Sequence, residues 1–322
     1  MARSVTGVRE IAQPHGRARL QDRVSPLACG QPARGAFGGD VPRKTSQGAV
    51  VALLPDGRLH LQHGPIDIVA EAFGAPVAVR AAYARAAGRF ATVLEELVAE
   101  LPALRSEDRP VQGIIARRMA AAVAPFRPAF ITPMAAVAGA VAEEVLGALT
   151  GPGIARAYVN NGGDIAVWLG PGERVTCALA ATGGMDRVTV HEVDPVRGIA
   201  TSGWRGRSVS LGIADAVTAL ARTAAMADAA ATMIANAVDL THPNIGRRPA
   251  RELQCDSDLG ERLVTVSVPR LSASERAEAL EAGLRAAEGF RARGLIEGAA
   301  LFLQGELRVS GALALGREDA SD

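Results

Sequence analysis

The segment that offers the most chemistry is Asn160-Asn161-Gly162-Gly163-Asp164, which combines amides, paired glycines and a carboxylate between two apolar runs. Paired glycines let a backbone approach a ligand closely or adopt positive φ, and the flanking amides supply donors and acceptors. A carboxylate at the start of the following strand could hold a ribityl or ribose hydroxyl, or a metal. Because Asn-Gly is also a strong hairpin signal, a plain β-turn remains an equal interpretation.

A second segment, Thr201-Ser202-Gly203, places two hydroxyls beside a glycine and ahead of Trp204. Loops of this composition contact phosphates through backbone N–H groups. An ordinary polar loop is the competing interpretation, and in isolation it is the simpler one.

A third segment, MADAAAT, places Asp228 and Thr232 four residues apart, so that they share one face of a helix. Only alanines lie between them, which leaves room for a ligand. Mg²⁺ prefers oxygen ligands and is typically held by one or two carboxylates together with waters. Helix capping by Asp228 is the competing interpretation, since a carboxylate near a helix start is favoured by the macrodipole. Asn236 extends the same polar stripe.

Both strands and helices must position these segments. Apolar runs and turn signals predict strands at 50–54 and 59–62 around a DG turn, at 157–159, 165–169 and 174–180, and in a final hairpin at 299–303 and 307–310. Three- and four-residue periodicity predicts helices at 66–100 (interrupted near Gly74), 110–122, 134–149, within 214–238, and at 272–293. Without a regular βαβ period, the pattern indicates an α+β protein with a partly antiparallel sheet.

The chain divides into two parts by composition. Residues 1–48 are rich in Gly, Pro, Arg and Ser without a sustained period, and we expect a partly or wholly disordered extension there. Residues 49–322 are predicted to form a single domain.

Bulk composition limits the class of partner. Hydrophobic residues make up 48% and charged residues 21%, the balance of a soluble globular enzyme. A net charge of +1 and 3% aromatic residues give no reason to expect nucleic acid or a membrane. Three cysteines without CxxC spacing argue against a disulfide framework and a structural zinc site. We expect a cytoplasmic protein with a small-molecule ligand, and a homodimer is the default oligomer.

Taken together, VNNGGDI, ATSGW and MADAAATMIANAV, with TPMAAVAGAVAEEV upstream, closely resemble an uncharacterised family of ApbE-like proteins, distant relatives of the FAD:protein FMN transferases. The resemblance covers about residues 49–315 and implies an ApbE-like fold of mixed and antiparallel sheets flanked by helices. It also implies a pocket for FAD, or another flavin or nucleotide, with Mg²⁺. By resemblance, the flavin nucleotide would contact Asn161, Gly162, Gly163, Asp164, Thr201, Ser202 and Gly203. The metal would be held by Asp228, Thr232 and a backbone carbonyl near Ala135.

Two departures from the transferases bear on activity. Their histidine motif, H-x-x-DP-x-TG, follows the SG loop, whereas here the similar segment beginning at His191 precedes it and is interpreted as unrelated. They also carry a lysine where this chain has Ala138. Two hypotheses therefore stay open: a flavin transferase or related metal-assisted transferase, and a catalytically inactive flavin- or pterin-binding protein.

Overall fold

The computed structural model describes residues 10–11, 43–44, 48–178, 186–206, 208–311 and 315–317. Within the predicted N-terminal extension it describes two short strands, Glu10–Ile11 (β1) and Arg43–Lys44 (β2). The other residues of 1–47 lie outside the described ranges, so the predicted disorder stays a prediction.

The main structural unit is a ten-stranded sheet in the order β15-β14-β11-β10-β7-β6-β5-β4-β3-β2, in which every neighbouring pair is antiparallel. Its strands after β2 are β3 (Val50–Leu53), β4 (Leu59–His63), β5 (Ile66–Gly74), β6 (Ile154–Asn161), β7 (Asp164–Leu169), β10 (Gly198–Ser202), β11 (Ala216–Ala221), β14 (Gly298–Leu303) and β15 (Glu306–Ser310).

Two smaller sheets complete the strand content. One has the order β1-β8-β9-β16, with β8 (Arg174–Ala178), β9 (Asp186–His191) and β16 (Leu315–Arg317), and its β1–β8 pair is parallel. The other pairs β12 (Gly246–Pro249) with β13 (Leu263–Ser267). The sheets are therefore mixed and antiparallel, as the sequence predicted.

The helices are α1 (Pro76–Ala99), α2 (Leu101–Leu104), α3 (Ile114–Val123), α4 (Val137–Leu149), α5 (Ala224–Ala237), α6 (Ala250–Leu253) and α7 (Ala273–Ala292), with 3₁₀ turns at Ala124–Phe126 and Pro133–Ala136. Among these described helices, none combines the length and hydrophobicity that a membrane crossing requires.

The two faces of the large sheet carry different side chains, as alternation along a strand requires. In β7, Ala166 packs into the core beneath the helices, whereas Ile165 and Val167 pack into a second core with residues of β8 and β9. Small residues on the helical side let α4 and α5 lie close to the strands. The sheet is thus covered by helices on one face and by the four-stranded sheet on the other.

Two predicted helices differ from the structure. Residues 66–74 form strand β5 rather than helix, because Ile66, Ile68 and Ala70 are buried at every second position and pair with β4 and β6. The helix begins only at Pro76, a favourable first helical residue. Helix α3 begins at Ile114, four residues later than predicted.

The other predictions of secondary structure are close to the observed elements. The DG hairpin joins β3 and β4, and the last hairpin joins β14 and β15. The predicted helix at 272–293 is α7, whose N-cap Ser272 forms a capping box with Glu275. The long alanine-rich stretch contains both a strand, β11, and a helix, α5.

Candidate functional site

The NNGGD segment is the two-residue turn of the β6–β7 hairpin. Asn161 pairs with Asp164 across the turn, and Gly162 and Gly163 have φ of 66° and 117°. The Gly163 amide donates to Oδ1 of Asn160 over 2.8 Å, which fixes the turn. The backbone is therefore a hairpin turn, as one of the two interpretations expected, and its two central residues are Gly162 and Gly163 rather than the Asn-Gly pair. It places Asp164 at the first position of β7, at what we call the Asp164 end of the sheet.

The second segment lies beside this turn, on the neighbouring strand. Thr201 and Ser202 are the last residues of β10, not a loop as predicted, and the Thr201 amide donates to Oδ1 of Asp164 over 3.1 Å. The Thr201 hydroxyl lies 2.8 Å from that of Thr218 on β11. Gly203 follows the strand where a side chain has no space, because an added Cβ would lie 2.6 Å from the carbonyl oxygen of Asp215.

Asp228 lies on the second turn of α5 and faces the start of α4. Its Oδ2 accepts a hydrogen bond of 3.0 Å from the Gly139 amide, and the Ala138 amide also donates to the carboxylate. These are the second and third residues of α4, whose amides have no partner within their own helix. The carboxylate therefore caps a neighbouring helix, a role different from the capping of its own helix that the sequence suggested.

The reverse contact joins the same two helices. Oε1 of Glu143, on α4, accepts a hydrogen bond of 2.7 Å from the Ala225 amide in the first turn of α5. The two helices approach so closely because residue 139 is glycine: an added Cβ would lie 2.2 Å from the Ala224 carbonyl oxygen. Each helix thus supplies the carboxylate that caps the other, and this exchange fixes where Asp228 lies.

The electrostatic environment of Asp228 is unusual for a carboxyl group. Burial of the carboxylate, and then the negative charge of Asp164, raise its pKa well above the ordinary value, while the Gly139 and Ala138 amides act in the opposite direction. The residue keeps some exposed surface even though its carboxylate is packed among other atoms. When two carboxylates repel each other in a poorly solvated site, either protonation of one carboxylate or binding of a cation removes the repulsion.

Asn161 links the hairpin turn to the same helix start, because its Nδ2 donates to the Ala138 carbonyl over 3.1 Å. The structure therefore brings together the turn, the end of β10, the start of α4 and the second turn of α5. We call the group formed by Asp164, Asp228 and the amides of Ala138 and Gly139 the acidic pocket.

The other two predicted metal ligands, Thr232 and Ala135, lie on elements that adjoin this pocket. Thr232 is half-buried one turn after Asp228, and its hydroxyl has no hydrogen-bond partner within the part of the chain that the structure describes. Ala135 lies in the 3₁₀ turn before α4, and that turn packs on α5. Asn236 holds the Leu211 amide through its Oδ1 at 3.0 Å. No group of three or more His, Cys, Asp or Glu within the described ranges is arranged to hold a metal.

The segment around His191 is a turn at the opposite end of the sheet. The His191 amide donates to Oδ2 of Asp194 over 2.7 Å, and the turn leads into the first residue of β10. Thr201 and Ser202 end that strand. Five strand residues separate the two ends by about 13 Å. His191 is therefore remote from the acidic pocket.

A feature that the sequence interpretation missed is a cavity of about 390 Å³ lined by Arg205, Arg270, Arg276 and Gln304. These residues are far apart in the chain, and only the antiparallel order of β10, β11 and β14 brings their segments to the same end of the sheet. The reciprocal cap by Glu143 was missed for a similar reason, since no spacing within α4 shows which helix it faces.

Comparison with known proteins gives a consistent family. A family described as "AbpE bacteria" matches residues 51–309. A UPF0280 protein of Methanopyrus kandleri is 35% identical over 181 residues, which are 54% of this chain and 72% of that protein. A UPF0280 protein of Methanothrix thermoacetophila is 38% identical over 157 residues, 46% of this chain but only 64% of the relative, slightly less than two thirds of its length.

A crystal structure of the flavinyl transferase ApbE of Pseudomonas stutzeri, in its apo form, is also similar, with 13% identity and a TM-score of 0.31. The comparison covers 81% of this chain and 93% of that one. The family match extends over most of the chain and includes all three segments that form or adjoin the acidic pocket. The chain therefore belongs to the AbpE bacteria family, a family of ApbE-like proteins.

Proposed function

We propose that this chain binds a flavin nucleotide together with Mg²⁺ at the acidic pocket and catalyses metal-assisted transfer at the phosphoanhydride of that nucleotide. The observation that carries the proposal is the placement of Asp164 and Asp228. These two carboxylates come from different elements, and their negative charges repel each other. Membership of an ApbE-like family supports flavin-related chemistry.

The residues of the pocket fit a hard divalent cation. Each carboxylate is oriented by backbone amides, Asp164 by Thr201 and Asp228 by Gly139. A carboxylate has about four lone-pair sites, so one or two such bonds leave it able to coordinate a cation. Mg²⁺ is commonly bound by one or two carboxylates with waters and substrate phosphates, and it does not require three protein side chains. Thr232, on the same face of α5, would add a hydroxyl.

The bound cation would supply charge neutralisation at the pyrophosphate. The chain's own groups would position the nucleotide. The glycine turn would leave space for the nucleotide at the start of β7. Asp164 would be held rigidly, because β7 pairs with a strand on each side. Positioning of this kind lowers the entropic cost of reaching the transition state. In the transfer, an acceptor hydroxyl oxygen would bond to the flavin-side phosphorus while the anhydride bond breaks, AMP leaves and the hydroxyl proton passes to solvent.

A second function, flavin binding without transfer, is favoured by one observation. The segment that resembles the transferases' histidine motif lies at the far end of β10, about 13 Å along the strand from Ser202. Ala138, in place of the transferases' lysine, uses its backbone groups to hold Asn161 and Asp228. A chain with these departures would retain the nucleotide without cleaving it.

Calorimetric titration of Mg²⁺, with and without FAD, tests the binding proposal. We expect Asp228→Asn to weaken Mg²⁺ binding about tenfold or more, because asparagine keeps an acceptor for α4 but lacks the negative charge. Asp108→Asn is the matched control, since Asp108 is an exposed carboxylate that forms an ion pair with Arg127 and lies outside the acidic pocket. Equal Mg²⁺ affinity in the wild type and Asp228→Asn would contradict the metal site.

Chromatography of FAD after incubation with the protein and Mg²⁺ separates the two functions. Release of AMP that is lost in Asp228→Asn would support transfer. Tight binding of FAD that is recovered intact would support the binding protein. Absence of both FAD and Mg²⁺ binding would contradict both functions.

A further inference from the structure

We propose that the cavity lined by Arg205, Arg270, Arg276 and Gln304 is a binding site for a phosphate-type oxyanion, that is, a phosphate or pyrophosphate group of a small molecule. We call it the arginine cavity. It is formed by residues other than those of the acidic pocket, and the inference does not depend on the function proposed above.

A network of hydrogen bonds holds the residues that form this cavity. The Gln304 side chain clamps the loop that carries Arg270, because its Oε1 accepts from the Leu271 amide at 3.0 Å and its Nε2 donates to the Pro269 carbonyl at 2.6 Å. The backbone N–H of Gln304 in turn donates to Oδ2 of Asp215 over 2.6 Å. The loop is therefore held in place before any ligand arrives.

The same network orients the other two guanidinium groups. Oδ1 of Asp215 accepts from Nε of Arg205 at 2.5 Å, and the guanidinium lies 4.7 Å from the centre of the Trp204 ring. Arg276 donates through Nε to Glu306 at 2.7 Å and through Nη1 to the Leu271 carbonyl at 2.6 Å. Each partner fixes the orientation of one guanidinium plane.

Several donors remain available after these contacts. Among the described residues, Arg205 bonds only through Nε, which leaves both of its terminal nitrogens, and Arg276 retains Nη2. Arg270 is exposed and makes no hydrogen bond or ion pair with any residue that the structure describes. Guanidinium groups with terminal nitrogens facing one space match the oxygens of a phosphate, which arginine binds through two parallel hydrogen bonds.

The charge of the cavity points to an anion. Three cations and one amide line it, and no carboxylate is among the lining residues within the described ranges. Asp215 and Glu306 form ion pairs with Arg205 and Arg276, so the five charged groups sum to +1 (three positive, two negative). Like charges gathered at one place repel each other, and an anion removes that repulsion. A cavity of about 390 Å³ has the size of a small-molecule site.

The arginine cavity lies at the Asp164 end of the sheet, and it extends from Arg205, just after β10, to Gln304, three strands away from Asp164. Strand β10 ends, β11 begins and β14 ends at this position, and Gln304 is the first residue of the β14–β15 turn. Three inter-strand spacings separate β7 from β14 by about 14 Å. An anion bound there is therefore distinct from one that would bind a metal at Asp228.

The test uses inorganic pyrophosphate titrated calorimetrically into the full chain in metal-depleted buffer. Without a metal, the carboxylates of the acidic pocket repel pyrophosphate, so the measured binding reports on the arginine cavity. We expect Arg270→Ala to weaken binding about tenfold or more. Because the exposed Arg270 makes no hydrogen bond or ion pair with another described residue, this substitution should leave the melting temperature nearly unchanged.

Arg285→Ala is the matched control, since Arg285 is an exposed arginine of α7 outside the cavity. It should bind pyrophosphate as the wild type does. Absence of pyrophosphate binding in the wild type, or equal weakening in Arg270→Ala and Arg285→Ala, would overturn the proposal. Tighter binding of citrate than of pyrophosphate would overturn the assignment to phosphate.

Discussion

The acidic pocket and the arginine cavity share one end of the same sheet but are constructed in opposite ways. In the acidic pocket, recessed carboxylates bond to backbone amides, so the groups that would bind a metal also cap a helix. In the arginine cavity, side chains hold other side chains and one loop, and Arg270 remains exposed. The proposed binding and the folding would use the same atoms in the first region and different atoms in the second.

This difference has a consequence for mutagenesis. A substitution in the acidic pocket would change helix capping, like-charge repulsion and the proposed metal binding together, so only matched pairs of variants separate the three. A substitution in the arginine cavity should change anion binding with little effect on the free energy of unfolding, because exposed side chains contribute little to stability. The predictions below test this contrast from the largest expected effect to the smallest.

The largest effect is expected at the contact between α4 and α5 that positions Asp228. Gly139→Ala would place a Cβ 2.2 Å from the Ala224 carbonyl oxygen, so the helices must separate. Overpacking of this kind costs about 3 kcal/mol, which exceeds the gain of about 1 kcal/mol from replacing glycine in a helix. Urea denaturation should therefore show a net loss of about 2 kcal/mol in the free energy of unfolding.

The control for this prediction lies on the same helix. Gly147 of α4 is exposed and has open space where a Cβ would be added. Gly147→Ala should stabilise the protein by up to about 1 kcal/mol, because only the helix propensity changes. Similar unfolding curves for the two variants would show that α4 and α5 can separate without cost, and that the close approach does not fix Asp228.

An intermediate effect is expected from Asp228 itself. In metal-depleted buffer, Asp228→Ala should be less stable than Asp228→Asn by about 1 kcal/mol, because alanine leaves the amides at the start of α4 without an acceptor. Both variants should lose the stabilisation that the wild type gains from Mg²⁺ in a thermal-shift measurement. Equal stability of the two variants would show that Asp228 does not cap α4. It would also contradict the inference that the same carboxylate serves both folding and binding.

The sequence revealed more of the acidic pocket than of its surroundings. Asp164, Thr201 and Asp228 belong to short segments whose residue types suggest chemistry. In the structure the Thr201 amide donates to Asp164, and burial together with the charge of Asp164 raises the pKa of Asp228. The segment at 66–74 was wrongly predicted as helix, since alternating burial becomes visible only once the strands on both sides are known.

The contacts between elements were not predictable from local patterns. The exchange of caps between Glu143 and Asp228 depends on how α4 and α5 cross, and neither helix alone specifies that. The arginine cavity combines residues separated by up to 99 positions, from Arg205 to Gln304, and its arginines look like ordinary surface charges in the sequence. Side chains that become functional through tertiary contacts leave no periodic signal.

The smallest effect is expected at Gln304, which positions the arginine cavity without charge of its own. Gln304 has a φ of 47°, in the left-handed region, and with Gly305 it forms the two-residue turn between β14 and β15. Gln304→Gly removes the clamp on the Arg270 loop but also relieves the backbone conformation, which costs a non-glycine residue about 1 kcal/mol. The two changes offset each other in the free energy of unfolding.

The Gln304→Gly variant should therefore melt close to the wild-type temperature while binding pyrophosphate about threefold to fivefold more weakly, because the loop that carries Arg270 must be ordered when the ligand binds. Adding Gln304→Gly to Arg270→Ala should then weaken pyrophosphate binding little further, since the clamp acts through the side chain that is already removed. Additive losses in the double variant would show that Gln304 contacts the anion directly. An unchanged affinity in Gln304→Gly would show that the loop holds its position without the clamp, so that the cavity, like the acidic pocket, takes its geometry from the backbone.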